Sequence, residues 1–242
     1  MINMFSALLS ILTVAMAMNT TEIINIVSNI TNVSPDMLSN VIELSDGSVL
    51  IPQVDSGIAI NMNLTDLISY QQSMEAFQSA SLQARAVIPP PPRIFWTQYQ
   101  IAEKGTWWSN WEQATACSYC ALDQGSQFVY SKGYTNTIGW EGSITFEIIK
   151  SLLQADFGWS VSQSWSWNEG MNCNCGGEGP VCVWLQTLNV WTNSQSQGCS
   201  SNLAEVSCTP WSAYQHNNMH SNNNDANHVQ FGCSAGYGNC NC

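Results

Sequence analysis

The amino-acid sequence predicts an α+β fold, in which disulfides staple a mainly antiparallel β-sheet that carries two helices. Three observations favour this class. Tryptophan and serine alternate between Gly158 and Trp167, all ten cysteines follow residue 85, and apolar residues recur at helical spacing after Ser143. Such alternation is typical of a strand with two unlike faces, and a secreted chain rich in cysteine is typically cross-linked.

The central strand of this prediction reads G-W-S-V-S-Q-S-W-S-W over residues 158–167. Successive side chains of a strand point to opposite faces, so the odd-numbered positions form an aromatic stripe and the even-numbered ones a row of hydroxyls. Serine is a poor helix former, which argues against a helix here. A second β-prone segment covers Val181 to Trp191. We predict that the two segments pair as antiparallel neighbours across a cysteine-containing loop.

Other segments also have the composition of strands. They are Ile58–Ile60, Ile94–Ile101 and Phe128–Tyr130. Phe128–Tyr130 and the residues around Tyr134 would form a hairpin. The stretch from His216 to His228 consists mostly of asparagine and histidine, so it is predicted as an exposed loop.

Two helices are predicted within the cysteine-rich part. Ser109 and Glu112 match a capping box, which predicts a helix from Ser109 to about Cys120. From Ser143 to about Gln154 the apolar residues form a broad surface at helical spacing. Upstream, Asn63 to Arg85 has the pattern of a looser helix. Residues 18–85 hold little apolar material, so we predict that they fold only against the rest of the chain or stay mobile.

The sequence divides the chain into a signal peptide (1–17), a propeptide (18–85) and a mature cysteine-rich domain (86–242). The leader ends at Ala17 in the small-x-small pattern that signal peptidase cuts, and its apolar stretch is too short to span a bilayer. Leu82 and Arg85 precede four prolines, which keep the adjoining chain in solvated polyproline II geometry. A processing protease of the Kex2 or furin type needs such an extended chain with arginine before the cut. An ordinary linker arginine is the alternative.

The N-glycosylation sequons and the net negative charge of the chain are consistent with secretion. Sequons for N-glycosylation are complete at Asn19, Asn29, Asn32 and Asn63. The chain has 17 acidic against 5 basic residues, which disfavours binding to nucleic acid or to an anionic membrane surface. Beyond the leader, no stretch reaches the ~20 apolar residues of a membrane span. The product is therefore expected to be secreted, without stable membrane insertion.

An even number of cysteines in a secreted chain implies up to five disulfides, whose connectivity the spacing leaves open. The positions expected to be bridged are Cys117, Cys120, Cys173, Cys175, Cys182, Cys199, Cys208, Cys233, Cys240 and Cys242. Cys199 and Cys208 bracket a short loop, which suggests a local bridge. Cys117 and Cys120 also have the spacing of a redox pair or of half a zinc site, but an oxidising compartment favours structural disulfides.

The three histidines, His216, His220 and His228, are the candidate metal ligands. Histidines four residues apart share one face of a helix and can hold a metal ion. A zinc-protease motif would also need glutamate after the first histidine, where this chain has Asn217. The simpler interpretation is that the three histidines lie in a solvent-exposed loop and bind no metal ion. No cofactor is expected.

Trp159, Trp165 and Trp167 are the candidate ligand-binding residues, because tryptophans on one strand face can stack on sugar rings. Packing in the core is the competing interpretation, since a small cross-linked domain needs the apolar area of its aromatic side chains. Paired carboxylates for glycoside hydrolysis could come from a pool of acidic residues, of which Glu169 lies next to the tryptophan strand. No nucleophile and base can be paired, so no catalytic residue is assigned and binding is favoured over enzymatic activity.

The chain resembles fungal Kex2-processed secreted cysteine-rich proteins in three features. These are the leader through Ala17, the Leu82-x-x-Arg85 junction and the restriction of all cysteines to the mature part. That group includes candidate effectors and host-directed toxins. The resemblance implies secretion, proteolytic maturation, a disulfide-stapled β-rich fold and action by binding a host or competitor component, which would be a protein or a glycan. An extracellular carbohydrate-binding or glycoside-hydrolysing protein is the alternative. A structural protein of a cell wall or spore surface is the third possibility.

Overall fold

The computed structural model describes residues 18–82, 91–119, 127–130, 134–137, 146–167, 171–174, 179–202, 205–222, 228–236 and 238–242. Over these residues it contains three α-helices, one 3-10 helix and a large share of antiparallel strand, cross-linked by disulfides. The predicted fold class is therefore confirmed. The chain divides into two compact units: unit 1 comprises Met1–Ala102, Ser143–Gly158 and Asn193–Gln215, and unit 2 comprises Glu103–Gly142, Trp159–Thr192 and His216–Cys242.

Unit 1 begins with a helix and a three-stranded meander. The elements are α1 (Thr20–Thr31), a 3-10 helix (Pro35–Met37), β1 (Ile42–Glu43), β2 (Ser48–Pro52) and β3 (Ile58–Asn63). A capping box starts α1, because the Asn19 side chain accepts from the Glu22 amide and the Glu22 carboxylate accepts from the Asn19 amide. β1 pairs with β2 and β2 pairs with β3. The strand predicted at Ile58–Ile60 is thus confirmed, whereas α1 was not predicted.

Helix α2 (Leu64–Ser81) and strand β4 (Ile94–Trp108) follow. The described residues confirm the helix predicted from Asn63, which is its N-cap: the Asn63 side chain accepts from the Thr65 amide at 2.8 Å. β4 contains the predicted strand Ile94–Ile101 and continues beyond it. It pairs with β3 in antiparallel register, from Ile58 opposite Gln100 to Asn61 opposite Thr97.

Unit 1 is completed by helix α3 (Phe146–Phe157), the last part of β12 (Pro180–Ser201) and β13 (Val206–Cys208). α3 confirms the helix predicted up to Gln154, although its predicted first residues lie outside the described ones. β4 is hydrogen-bonded to β12. Their glutamine side chains bond in pairs, Gln195 to Gln100 at 2.9 Å and Gln197 to Gln98 at 2.6 Å.

The main core of unit 1 joins α1, α2 and the sheet. Its members are Ile23, Val27, Ile30, Leu38, Val49, Ile51, Ile60, Met62, Leu67, Tyr70, Ile94, Trp96 and Cys199. All five residues of β2 are buried, because α3 also contacts that strand. None of the described helices is both long and apolar enough to cross a membrane.

The described part of unit 2 is built mainly of strands. Besides the adjoining parts of β4 and β12 these are β5 (Glu112–Gln113), β6 (Ser118–Tyr119), β7 (Gln127–Tyr130), β8 (Tyr134–Thr137), β9 (Val161–Ser162), β10 (Ser164–Trp167), β11 (Met171–Asn174), most of β14 (Gln215–Ser221) and β15 (Val229–Ala235). β12 pairs with β15 from Val181 opposite Ala235 to Thr187 opposite Val229. Its other edge pairs with β5 and β6.

The serine–tryptophan segment is extended, but its predicted pairing with Val181–Trp191 is wrong. It forms two short strands around Gln163, of which β9 pairs with β14 and β10 pairs with β8. Both edges of β12 are already occupied between residues 181 and 187 by β15 and by β5 and β6. The Ser162 hydroxyl donates to the Ser164 carbonyl at 2.7 Å, which stabilises the bend between the two short strands.

The helix predicted from Ser109 is also wrong, since the residues after Ser109 form β5 and β6. The Ser109 amide donates to the Thr187 carbonyl at 2.9 Å, and its hydroxyl accepts from the Thr187 amide at 2.9 Å. The serine therefore satisfies the backbone of β12 and not the first turn of a helix. A Ser-x-x-Glu pattern supplies hydrogen-bonding groups that a neighbouring strand can use equally well.

Two further local predictions are wrong. The hairpin of Phe128–Tyr130 with the residues near Tyr134 does not form, because β7 pairs with β11 and β8 pairs with β10. The first part of the stretch predicted as an exposed loop belongs to β14 (Gln215–Ser221), where Met219 and His220 are fully buried. The buried imidazole of His220 is accommodated there because its Nδ1 bonds to Oδ1 of Asn189 at 2.8 Å.

Four disulfides join the described cysteines, all of which are paired. Unit 2 holds Cys117–Cys242, Cys173–Cys233 and Cys182–Cys240. Unit 1 holds Cys199–Cys208, which confirms the predicted local bridge. Cys120 and Cys175 lie outside the described residues. The four bridges indicate folding in an oxidising environment.

Candidate functional site

Two concave surfaces are candidate binding sites, one within each unit. The larger, which we call the unit 1 cavity, has a volume of about 570 Å³. Its walls come from the end of β3 with the start of α2, from the start of β4, and from the pair β12–β13. Its lining includes Asn63, Asp66, Phe95, Thr97, Cys199 and Cys208.

The unit 1 cavity combines an exposed aromatic ring with a carboxylate. Phe95 is 64% exposed while its neighbour Trp96 is only 4% exposed, because consecutive side chains of β4 point to opposite faces. Asp66 lies in the first turn of α2, where the helix dipole stabilises a negative charge. The surface therefore suits a ligand with an apolar part next to hydrogen-bond donors or a positive group.

The third wall of the unit 1 cavity is fixed by the Cys199–Cys208 disulfide. These two cysteines are directly opposite each other in the β12–β13 pair. Beside them the Thr209 amide donates to the Gly198 carbonyl at 2.8 Å, and the Gly198 amide donates to the Thr209 hydroxyl at 3.1 Å. This side of the cavity is therefore held in one conformation before any ligand binds.

The second surface, which we call the aromatic pocket, lies in unit 2 and has a volume of about 320 Å³. It is lined by Trp107, Trp191, His216 and Asn218. The Trp191 and His216 rings stack with their centroids 5.8 Å apart at 25°. Trp107 is 43% exposed and His216 is exposed as well. Aromatic faces next to an amide suit a ligand that is apolar on one side and polar at its edges.

Gly105 fixes the position of the Trp191 indole. A Cβ atom at residue 105 would lie 2.5 Å from Nε1 of Trp191 and 2.7 Å from its Cε2, so the ring lies directly on the β4 backbone. A larger residue at this position would displace the indole. The aromatic pocket is thus pre-shaped by a glycine that is distant in sequence from Trp191.

Replacing Gly105 by alanine is expected to lower the free energy of unfolding by about 1–3 kcal/mol, because the added methyl group overlaps the indole. Urea unfolding followed by tryptophan fluorescence measures this loss. Gly198→Ala is the matched control, since the nearest atom to a Cβ there is the Thr209 hydroxyl oxygen at 3.9 Å. An unchanged urea midpoint for Gly105→Ala would show that the indole does not lie on the backbone.

The structure does not bring the three tryptophans selected from the sequence into one surface platform. Trp165 is 6% exposed, and its ring meets His220 edge-on at 6.4 Å, as expected for core packing. Trp159 is partly buried, with the Lys104 ammonium 5.7 Å from its ring centroid in a cation–π contact. The Trp167 side chain lies outside the described part of the structure, although its backbone pairs with Tyr134.

His220 is a core residue of unit 2, with 1% exposure. Its Nδ1 lies 2.8 Å from Oδ1 of Asn189, whose own Nδ2 donates to the Thr187 carbonyl. Because the Asn189 amide turns its oxygen toward the ring, His220 carries its proton on Nδ1 and donates to this oxygen. Burial lowers the pKa of His220 to about 4, so the ring is neutral at pH 7.

Two of the three predicted metal ligands lie on one strand. His216 and His220 both belong to β14, where four residues span about 13 Å, so the helical spacing behind the prediction does not apply. His216 is exposed in the aromatic pocket, and His228 precedes β15. No group of three or more histidine, cysteine, aspartate or glutamate side chains within the described ranges could hold a metal ion.

Two of the acidic residues that could be drawn on for glycoside hydrolysis, Glu147 and Asp156, make structural hydrogen bonds. The Glu147 carboxylate accepts from the Ser45 hydroxyl at 2.9 Å, and the Asp156 carboxylate accepts from the Gly57 amide at 2.8 Å. Glu112 is exposed on β5. Glu169 lies outside the described residues.

The processing and glycosylation signals occupy accessible positions where the structure describes them. All four sequon asparagines are exposed: Asn19, Asn29, Asn32 and Asn63. Leu82 is 86% exposed. Ala17 and Arg85 lie outside the described residues.

Sequence reasoning named His216 only as a candidate metal ligand and did not single out Trp107 or Trp191. The aromatic pocket draws Trp107 from β4, Trp191 from β12 and His216 from β14, so no single segment carries its pattern. Asp66 and Phe95 of the unit 1 cavity, which were not singled out either, are separated in sequence by most of α2 and by the chain that leads to β4. A usable signal was Gly105 inside a strand, because glycine there marks a close approach by another group.

The geometry of the described residues therefore supports ligand binding at two surfaces. The chain was compared with protein-family models, with curated proteins and with solved structures, and nothing matches it.

Proposed function

We propose that this is a secreted, effector- or toxin-like protein that acts by binding a component of a host or competitor organism. The aromatic pocket is the observation that carries this proposal. Trp191 is held by close contact with the Gly105 backbone and by stacking with His216, so little side-chain freedom is lost when a ligand binds. Tryptophans at binding surfaces often contribute a large share of the binding free energy.

Maturation is part of the proposal. Signal peptidase would cut after Ala17 and a Kex2-type protease after Arg85, with glycans added at the four exposed sequons. The four disulfides support passage through an oxidising secretory route. Intact-mass measurement and peptide mapping of the secreted product test this part, and a mature chain that begins at Ala86 is the expected result.

Replacing Trp107 by alanine is expected to weaken biological activity at least tenfold, which corresponds to about 1.4 kcal/mol of binding free energy. The change removes one wall of the aromatic pocket from a residue that is 43% exposed, so the fold should persist. Cell death after infiltration, or growth arrest of a competitor, is the measurement. Near-ultraviolet circular dichroism checks folding.

Trp111→Ala is the matched control, because Trp111 is 45% exposed and lies outside the aromatic pocket. It should retain the activity of the wild type. Equal losses for Trp107→Ala and Trp111→Ala would indicate a general effect of losing surface aromatic area. Full activity of Trp107→Ala would remove the aromatic pocket from the mechanism.

A specific observation favours a glycan as the bound component, which makes a carbohydrate-binding protein the second candidate. The C–H bonds on one face of a sugar ring carry slight positive charge and pack on the negative face of an indole. Asn218 lies in the same pocket and can bond to the hydroxyls at the ring edge. Saturable binding on a glycan array that is lost in Trp107→Ala and kept in Trp111→Ala would support this candidate. Activity without any glycan signal would support a protein target.

A further inference from the structure

We propose that residues 18–82 stay bound to the rest of unit 1 when the chain is cut between them, as a non-covalent second chain that completes the unit 1 cavity. The inference rests on the proposed cleavage after Arg85 for its biological setting. Its physical basis is independent of that cleavage, because it concerns only the contacts between residues 18–82 and the part of unit 1 that follows residue 90.

The first contact is a strand pairing. β3, from residues 18–82, lies next to β4, from the later part, with Ile58 opposite Gln100 and Asn61 opposite Thr97. The Ile101 amide extends this ladder by donating to the Gly57 carbonyl at 2.9 Å. Loss of residues 18–82 would leave this edge of β4 unpaired, and an unpaired edge is prone to aggregate.

The second contact is the core of unit 1. Most of its members belong to residues 18–82, and the later part contributes Ile94, Trp96 and Cys199. These three are at most 4% exposed in the assembled unit. Without α1, α2 and β3 the indole of Trp96 would lose the buried side chains against which it packs. Burial of apolar area of this kind is the main force that holds subunits together.

The third contact is polar and lies at α3. The Asp156 carboxylate accepts from the Gly57 amide at 2.8 Å, and the Glu147 carboxylate accepts from the Ser45 hydroxyl at 2.9 Å. Both bonds join residues 18–82 to a helix about a hundred residues later in the chain. Hydrogen bonds to carboxylates are stronger than those between neutral groups, so they fix the orientation of the second chain.

No covalent bond would hold the two pieces after a cut, because every cysteine lies at or beyond residue 117. Retention would therefore depend on the contacts described above. Retention of residues 18–82 also decides whether the unit 1 cavity is complete. Asn63 and Asp66 from these residues form one wall, while Phe95 and Thr97 from the later part form another. The cut protein without residues 18–82 would have only part of this binding surface.

The test uses the full chain with a site for a sequence-specific protease placed between residues 82 and 91. After complete cutting, gel filtration in native buffer at 1 µM (roughly the range where weak complexes dissociate) should give one peak that contains both fragments. The same sample in concentrated urea should give two peaks. Separate elution in native buffer would overturn the proposal.

Variants then locate the contact. Ile60→Ala removes a buried side chain from β3 and should raise the released fraction of the N-terminal fragment at least tenfold. Leu82→Ala is the control, because Leu82 is 86% exposed, and it should release no more than the wild type. Equal retention for both variants would count against the core contact.

A second measurement does not depend on any variant folding. Amide hydrogen exchange over residues 94–101 should be unchanged by the cut and should become at least tenfold faster once the N-terminal fragment is removed. Fast exchange directly after cutting would contradict the proposal. Intact mass of the naturally secreted product separately reports whether cleavage occurs, so failure of the proposed maturation and failure of the association give different results.

Discussion

Replacing Cys182 and Cys240 together by alanine is expected to lower the free energy of unfolding of unit 2 by about 2–5 kcal/mol. The bridge joins residues 58 positions apart in sequence, so its removal restores much freedom to the unfolded chain. Both cysteines are also buried, at 0% and 8% exposure, and alanine leaves no unpaired polar group in their place. Urea unfolding of the wild type and the double variant measures the difference.

The matched control removes a disulfide that closes a much shorter loop. Cys199→Ala with Cys208→Ala opens a loop of only 9 positions in unit 1, where less chain entropy is regained. This second double variant should lose less stability than the first. Identical urea midpoints for the wild type and the Cys182/Cys240 variant would show that this bridge does not contribute to the stability of unit 2.

Lowering the pH from 7 to 4 is expected to destabilise unit 2 by roughly 3 kcal/mol through His220 alone. The pKa of the buried imidazole is about 4 against an ordinary value of 6.5, because burial disfavours the charged form. Above pH 6.5 both the folded and the unfolded states hold a neutral ring. Between pH 6.5 and 4 only the unfolded state takes up the proton, so stability falls with pH across this window and levels off below it.

His220→Asn isolates this effect. The variant keeps an N–H group that can donate to Asn189 but does not titrate, so its stability should change less between pH 7 and 4 than that of the wild type. His216→Asn removes an exposed imidazole and tests whether the loss of any histidine has the same consequence. Parallel pH profiles for the wild type and His220→Asn would show that His220 does not contribute to acid sensitivity.

Several local features of the fold were predictable from the sequence. Alternation predicted the strand at Ile94, helical spacing predicted α2 and α3, and a short loop predicted the Cys199–Cys208 bridge. Each of these depends on residues close together in the chain. Helix α1 was missed even though Asn19 and Glu22 form a capping box. Its apolar residues Ile23, Val27 and Ile30 recur at helical spacing, but the polar, asparagine- and serine-rich composition of residues 18–85 outweighed this local pattern in the prediction.

The choice of strand partners was not predictable. A strand pattern shows which face is buried but not which edge meets which neighbour, and the 158–167 segment pairs with β8 and β14 because β12 is already occupied. The aromatic pocket was not predictable from the sequence for a related reason. The row of tryptophans at 159–167 is conspicuous in the sequence, whereas the aromatic pocket gathers Trp107 and Trp191 from distant strands.

The uneven distribution of the cross-links gives the two units different responses to thiols. Unit 2 contains three of the bridges in the described structure, and two of them tie its last few residues to Cys117 and Cys182. Unit 1 has one bridge that closes a short loop, and its core consists mostly of aliphatic side chains from two helices and a sheet. Passage into a glutathione-rich cytosol would therefore loosen unit 2 first, while unit 1 would keep its packing.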